Sequence, residues 1–117
     1  MKFKIYHNPR CQKSRAGLKY LEEKGVDAEV VNYLLDGLCA SDVQEILLKS
    51  NLKPLQIVRN NEVYFKNYLK GKNFADDEWI KIIVANPKLL QRPFVVAGFR
   101  CVLGNPPQNI DKLFNPE

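Results

Sequence analysis

Hydrophobic and polar positions change period several times along the chain, and each change marks an element. The apolar run at residues 2–6 reads as a short buried strand. From Ser14 to Lys24, Ala16, Leu18, Tyr20 and Leu21 supply the apolar side of a helix, and Gly25 supplies its stop. Glu29-Val30-Val31-Asn32-Tyr33-Leu34 predicts a second strand, so the chain opens as strand–helix–strand. That order favours a parallel pair with a right-handed crossover. After an Asp36-Gly37 turn, Ser41 followed by Glu45 is close to an N-cap signature, with Val43, Ile46, Leu47 and Leu48 as a helix face. Residues 51–61 read as a polar, proline-containing connection. A helix is expected through Tyr64, Phe65, Tyr68 and Leu69, broken by Gly71. Asp76-Asp77-Glu78 is an acidic start suited to the helix dipole, ahead of Trp79, Ile80, Ile82, Ile83 and Val84, and Asn86-Pro87 ends that helix. Two short strands, 93–97 and 100–103, flank Gly98-Phe99 as a hairpin. Pro106-Pro107 then opens a last helix packed by Ile110, Leu113 and Phe114. Tyr64, Phe65, Tyr68 and Trp79 fall at helix-face spacing and read as core.

The order βαβ, helical middle, ββα predicts an α/β domain in which a parallel and an antiparallel unit share one mixed sheet. This is the thioredoxin-like arrangement, here one domain over residues 1–117 with a helical insertion at about 36–90. Composition agrees with a soluble globular domain: 117 residues, 45% hydrophobic and 26% charged. No apolar run approaches the ~20 residues of a membrane span, and no signal-peptide pattern stands at the start, so the expectation is cytoplasmic residence without membrane partners. The net charge of +5 comes from scattered basic residues, with Lys66, Lys70 and Lys72 the densest group. That reads as a solvated surface or attraction for a small anion rather than a nucleic-acid partner. Three widely spaced cysteines and a single histidine make a poor disulfide framework and no zinc site, so no metal and no bound cofactor are expected.

The chemistry concentrates in His7-Asn8-Pro9-Arg10-Cys11-Gln12-Lys13-Ser14-Arg15. A strand that ends, a tight turn, and a helix that begins around Cys11 would put its sulfur over free backbone N–H groups. The helix dipole and those donors favour thiolate, the nucleophilic form. Arg10, Lys13 and Arg15 add positive charge nearby. Position 14 holds serine where a dithiol enzyme has its second cysteine, so a resolving thiol comes from outside unless Cys39 or Cys101 swings in. Cys39 near a helix start reads as incidental, and Cys101 in a strand reads as core. Ser14 is either a helix N-cap or a contact to the oxyanion. His7 either orients the loop or acts on the thiolate electrostatically, or is a polar turn residue.

On these residues the chain resembles the glutaredoxin-coupled arsenate reductases. The resemblance runs from Ile5-Tyr6-His7-Asn8-Pro9-Arg10-Cys11-Gln12-Lys13-Ser14-Arg15 through Val58-Arg59-Asn60-Asn61 and Asp76-Asp77. It continues to Asn86-Pro87 and Gln91-Arg92-Pro93-Phe94-Val95-Val96. It implies a thioredoxin-like fold, arsenate as substrate, glutathione as co-substrate and glutaredoxin as partner. It implies that Cys11 attacks the oxyanion, that Arg59 and Arg92 bind it, and that Pro93 follows a cis peptide bond. The third arginine that the resemblance implies falls near Asn105, a neutral amide that supplies neither charge nor a bidentate fork. Arg100 is the alternative cation. Two other functions share this size and fold. One is a monothiol glutaredoxin-like thiol transferase. The other is a regulator of the Spx type that binds RNA polymerase, which typically carries a CxxC switch where this chain has Ser14.

Overall fold

The computed structural model describes residues 2–114; Met1 and residues 115–117 of the expected 1–117 domain lie outside them. A four-stranded sheet in the order β2-β1-β3-β4 forms the centre. β1 (Phe3–His7) pairs parallel with β2 (Glu29–Asn32), His7 lying opposite Asn32. On its other side β1 pairs antiparallel with β3 (Phe94–Ala97), which continues through the Gly98-Phe99 turn into β4 (Arg100–Leu103).

Two-residue alternation splits the strands between two cores. Ile5, Val95 and Ala97 face one side, packed with Leu21 of α1 (Gln12–Glu23) and with Ile110 and Leu113 of the last helical segment. Tyr6, Phe94, Val96 and Cys101 face the other, against Val43 and Ile46 of α3 (Ala40–Ser50) and Trp79 and Ile83 of α5 (Asp76–Ala85). The result is a mixed sheet with helices on both faces. Among the described residues no helix is long and apolar enough to cross a membrane.

Several boundaries differ from the sequence expectation. β2 stops at Asn32 rather than at Leu34, because the Asn32 side chain accepts the Leu35 N–H and turns residues 33–36 into a helical turn, α2 (Tyr33–Asp36). α1 starts at Gln12, not Ser14, with Cys11 itself at the N-cap. α3 is capped at Cys39 rather than Ser41, since the Asp42 carboxylate reaches back to the Cys39 N–H at 2.8 Å. The connection 51–61 contains a short helix, α4 (Pro54–Ile57), closed by Gln56 accepting from Lys53 N–H.

Phe65–Leu69 winds as a π-helical turn, closed by Lys70 N–H to the Phe65 carbonyl; it buries Phe65 and Leu69. Tyr64 and Tyr68 therefore leave the core, Tyr68 being 57% exposed, and they pack on each other at 5.0 Å. Leu48 points to solvent as well. Pro107–Leu113 is a 3₁₀ segment rather than an α-helix, with Ile110 and Leu113 eclipsed at the three-residue repeat of that helix.

Candidate active site

β1 delivers the chain to the site through a proline turn. Cys11 N–H donates to the Asn8 carbonyl at 3.0 Å, with Pro9 in the second position of the turn, where its fixed φ belongs. The Asn8 side chain accepts the Arg10 N–H at 3.0 Å and fixes the same turn from inside. Cys11 follows at the N-cap of α1, in extended conformation, and the first turn of that helix holds no acidic residue. Its sulfur lies within the influence of the backbone N–H groups of Ser14 and Lys13 at the start of the helix. Burial pushes the Cys11 thiol up. The Ser14 N–H, the Arg92 guanidinium and the Lys13 N–H outweigh that push and hold the thiol below its ordinary value.

Ser14 divides its work between two atoms. Its N–H serves the sulfur, while its buried hydroxyl accepts the Asn8 N–H at 2.9 Å and lies 2.7 Å from His7 Nδ1. Burial first, and then the Arg15 charge, lower the His7 pKa, so the ring is neutral at pH 7. Ser14 Oγ and His7 Nδ1 are hydrogen-bond partners, with Asn8 N–H donating to the same oxygen. His7 does not line the cleft, and its geometry assigns it to orienting Ser14 and the turn. The Ser14 hydroxyl is likewise turned inward, away from any oxyanion.

Two backbone hydrogen bonds bring the arginines together. Arg59 N–H donates to the Leu89 carbonyl at 2.6 Å and Gln91 N–H donates to the Ile57 carbonyl at 2.8 Å, so residues 57–59 run antiparallel to 89–91. Arg92 follows at once and enters the cis peptide bond to Pro93. The Arg59 guanidinium pairs with Glu62 at 2.9 Å and lines the cleft. Gly17 seats α1 on this segment: a Cβ at that position would stand 2.7 Å from Pro93 Cγ.

A cleft of about 520 Å³ opens over the sulfur. Its lining is cationic at Lys13, Arg59 and Arg92 and rich in amides at Gln12, Gln56, Asn60, Asn61, Gln91 and Asn105. Asn105 sits at the rim on a loop held by Gly104 N–H to the Pro93 carbonyl and by the Asn109 side chain to the Leu103 and Asn105 carbonyls. Arg100 does not join it. It lies opposite Ala97, which pairs with Phe3, at the end of the sheet remote from His7, and its guanidinium donates to the Lys112 carbonyl. The strand length between those ends is about 13 Å. Cys101 is buried beneath the sheet and Cys39 is exposed at the start of α3; neither lines the cleft.

Two residues around the site carry no motif. Asn109, in the Pro107–Leu113 3₁₀ segment, fixes the Asn105 segment. Tyr33 sits under the cleft floor, close enough to Arg92, Arg59 and Cys11 for each to act on its hydroxyl. Reading β2 as ending at the Asn32 cap would have placed Tyr33 at the carboxyl end of the sheet, where sites of α/β proteins gather.

Comparison with known proteins agrees with this geometry. The ArsC family model matches residues 6–113. An arsenate reductase of Neisseria meningitidis is 38% identical over 110 residues, covering 92% of this chain and 94% of that protein. The structure of an arsenate reductase from Vibrio cholerae superposes with a TM-score of 0.91 at 30% identity, covering 97% of this chain and 98% of that one. A putative arsenate reductase from Yersinia pestis gives 0.88 at 32% identity, covering 95% and 99%. With its thioredoxin-like fold and a family match over residues 6–113, the chain belongs to the ArsC family.

Proposed function

We propose that the protein is a thiol-dependent arsenate reductase with Cys11 as nucleophile. The observation that carries this reading is Cys11 at a helix N-terminus, held toward thiolate beside Arg92 in a cleft lined by Lys13, Arg59 and Arg92. Arsenate is a tetrahedral oxyanion, and Arg59, Arg92 and the helix N–H groups offer donors to several of its oxygens at once.

In the first step the Cys11 sulfur forms a bond to arsenic, an arsenic–oxygen bond breaks, and the leaving oxygen departs with protons as water. Reduction of arsenic(V) to arsenic(III) needs two electrons, which two thiols supply by becoming a disulfide. Cys11 is one of them. Ser14 cannot be the other, and Cys101 is buried with its thiol pushed up to about 12. Cys39 is exposed outside the cleft, so the second thiol is taken to be external; the family resemblance implies glutathione as co-substrate and glutaredoxin as the partner that reduces the resulting mixed disulfide. A cleft of about 520 Å³ falls in the range of about 300–1,000 Å³ that takes drug-sized ligands, enough for an oxyanion together with a thiol peptide.

A coupled assay with arsenate, glutathione, glutaredoxin, glutathione reductase and NADPH tests the reading. Arsenate-dependent NADPH consumption that disappears in Cys11→Ser is expected, and its absence with native protein would sink the arsenate assignment. The neutral Asn105 at the rim favours a second reading, a monothiol transferase acting on glutathionylated substrates. Cys11-dependent deglutathionylation without arsenate reduction would decide for it.

A further inference from the structure

We propose that Tyr33 is a positioning residue of this site: its buried hydroxyl holds the Leu90 carbonyl, two residues before Arg92, and so aims Arg92 at the Cys11 sulfur. The inference rests on Cys11 and Arg92 forming the oxyanion site described above. Its geometry begins at Asn32, whose cap ends β2 opposite His7 and drops Tyr33 beneath the cleft. The Tyr33 side chain is wholly buried, and its hydroxyl donates to the Leu90 carbonyl at 3.5 Å. Leu90 belongs to the strip 89–91 that pairs with residues 57–59 and leads into Arg92. One phenol thus touches the segment that leads into Arg92.

The charges around it fit the role. Arg92 and Arg59 bring positive charge near the hydroxyl, and Cys11 brings negative charge. Burial pushes the phenol up to about 12 despite the two arginines, so at physiological pH it keeps its proton. It gives that proton to the Leu90 carbonyl. Fixing the backbone that carries Arg92 leaves the five N–H donors of its rigid fork for the sulfur and an oxyanion. An arginine on held backbone also loses less freedom when the anion arrives.

The test uses Tyr33→Phe, which keeps the core-filling ring and removes the hydroxyl; its melting temperature reports whether the fold is retained. Iodoacetamide alkylation of Cys11, followed by mass spectrometry to separate it from Cys39 and Cys101, is measured against pH and against added arsenate. In Tyr33→Phe the alkylation midpoint should move upward, and the arsenate concentration needed for protection should rise about three- to tenfold, the scale of one neutral hydrogen bond. In an Arg92→Gln background the same substitution should change neither quantity, because the hydroxyl acts through Arg92. Wild-type values in Tyr33→Phe, or an undiminished effect in the Arg92→Gln background, would overturn the positioning role while leaving the oxyanion site standing. Failure of arsenate to protect wild-type Cys11 would overturn the site and this role together.

Discussion

Cys11 and Cys101 are the same side chain in two regions of one small molecule, and burial pushes both thiols upward. They part because of what surrounds them. At the strand–helix junction, two helix N–H groups and the Arg92 guanidinium overcome the desolvation of Cys11. In β4, Cys101 meets apolar neighbours and the Glu45 carboxylate, and Lys49 and Lys4 do not offset them, so its thiol rises to about 12. Reactivity therefore belongs to the backbone that presents the sulfur, not to the cysteine. The nearby Cys39 also stands at an N-cap, on an exposed helix start outside the cleft.

The largest expected effect breaks the contrast outright. Cys11→Ser should reduce arsenate-dependent turnover at least about a thousandfold, as loss of a nucleophile does. Cys101→Val, a small apolar replacement in the core, should leave turnover near wild type, read in the same coupled assay. Alkylation against pH sharpens the point. Cys11 should reach its plateau rate through a midpoint below the ordinary ~8.5, because the folded protein favours thiolate, while Cys101 should stay unreactive until about 12. The next effect removes the cation that separates the two thiols. Arg92→Gln should lower turnover about a hundredfold, the scale of one lost transition-state donor, and raise the Cys11 midpoint without moving that of Cys101.

The legible part of this site was the part encoded locally. Pro9 in the turn, Cys11 before an amphipathic run, and the hairpin at 93–103 are patterns of adjacent residues, and the sheet followed from them. The resemblance supplied what spacing alone does not, namely Arg59 and Arg92 as companions of Cys11. What stayed illegible depends on long-range geometry. Arg100 was a reasonable stand-in for a third cation until the β3–β4 register placed it at the far end of the sheet. The inward turn of the Ser14 hydroxyl depends on Asn8 N–H and His7 Nδ1, partners six and seven residues away. Tyr33 read as a strand residue because a single capping amide, Asn32, decides where β2 ends.

A smaller effect tests the framework of the junction rather than its charges. Gly17 lets α1 lie against Pro93, and an added methyl would meet a ring that cannot swing aside. Gly17→Ala should destabilise the fold by about 1–3 kcal/mol, the usual cost of overpacking, seen as a lower midpoint in thermal denaturation. The shift of α1 should also carry the Lys13 and Ser14 N–H groups off the sulfur and raise the Cys11 midpoint. Cys101 packs on the opposite face of the sheet, so its titration should stay where it is. Equal changes in both cysteines would mean that general loosening, and not the helix seat, is what Gly17 prevents.

The smallest expected effect is a gain. Asn105 stands at the cleft rim on backbone fixed by Pro93, Leu103 and Asn109, so a longer side chain there would be presented from a held position. Asn105→Arg would bring a third guanidinium to the Arg59 and Arg92 side of the cleft and lower the KM for arsenate about tenfold, the worth of one hydrogen bond to a charged group. The gain should appear in KM more than in kcat, since the added fork grips the oxyanion in ground and transition states alike. It should also weaken with added salt, because the rim is open to solvent. An unchanged KM would show that the loop does not present position 105 to the oxyanion, and that the two arginines with the α1 N-terminus already make up its whole binding site.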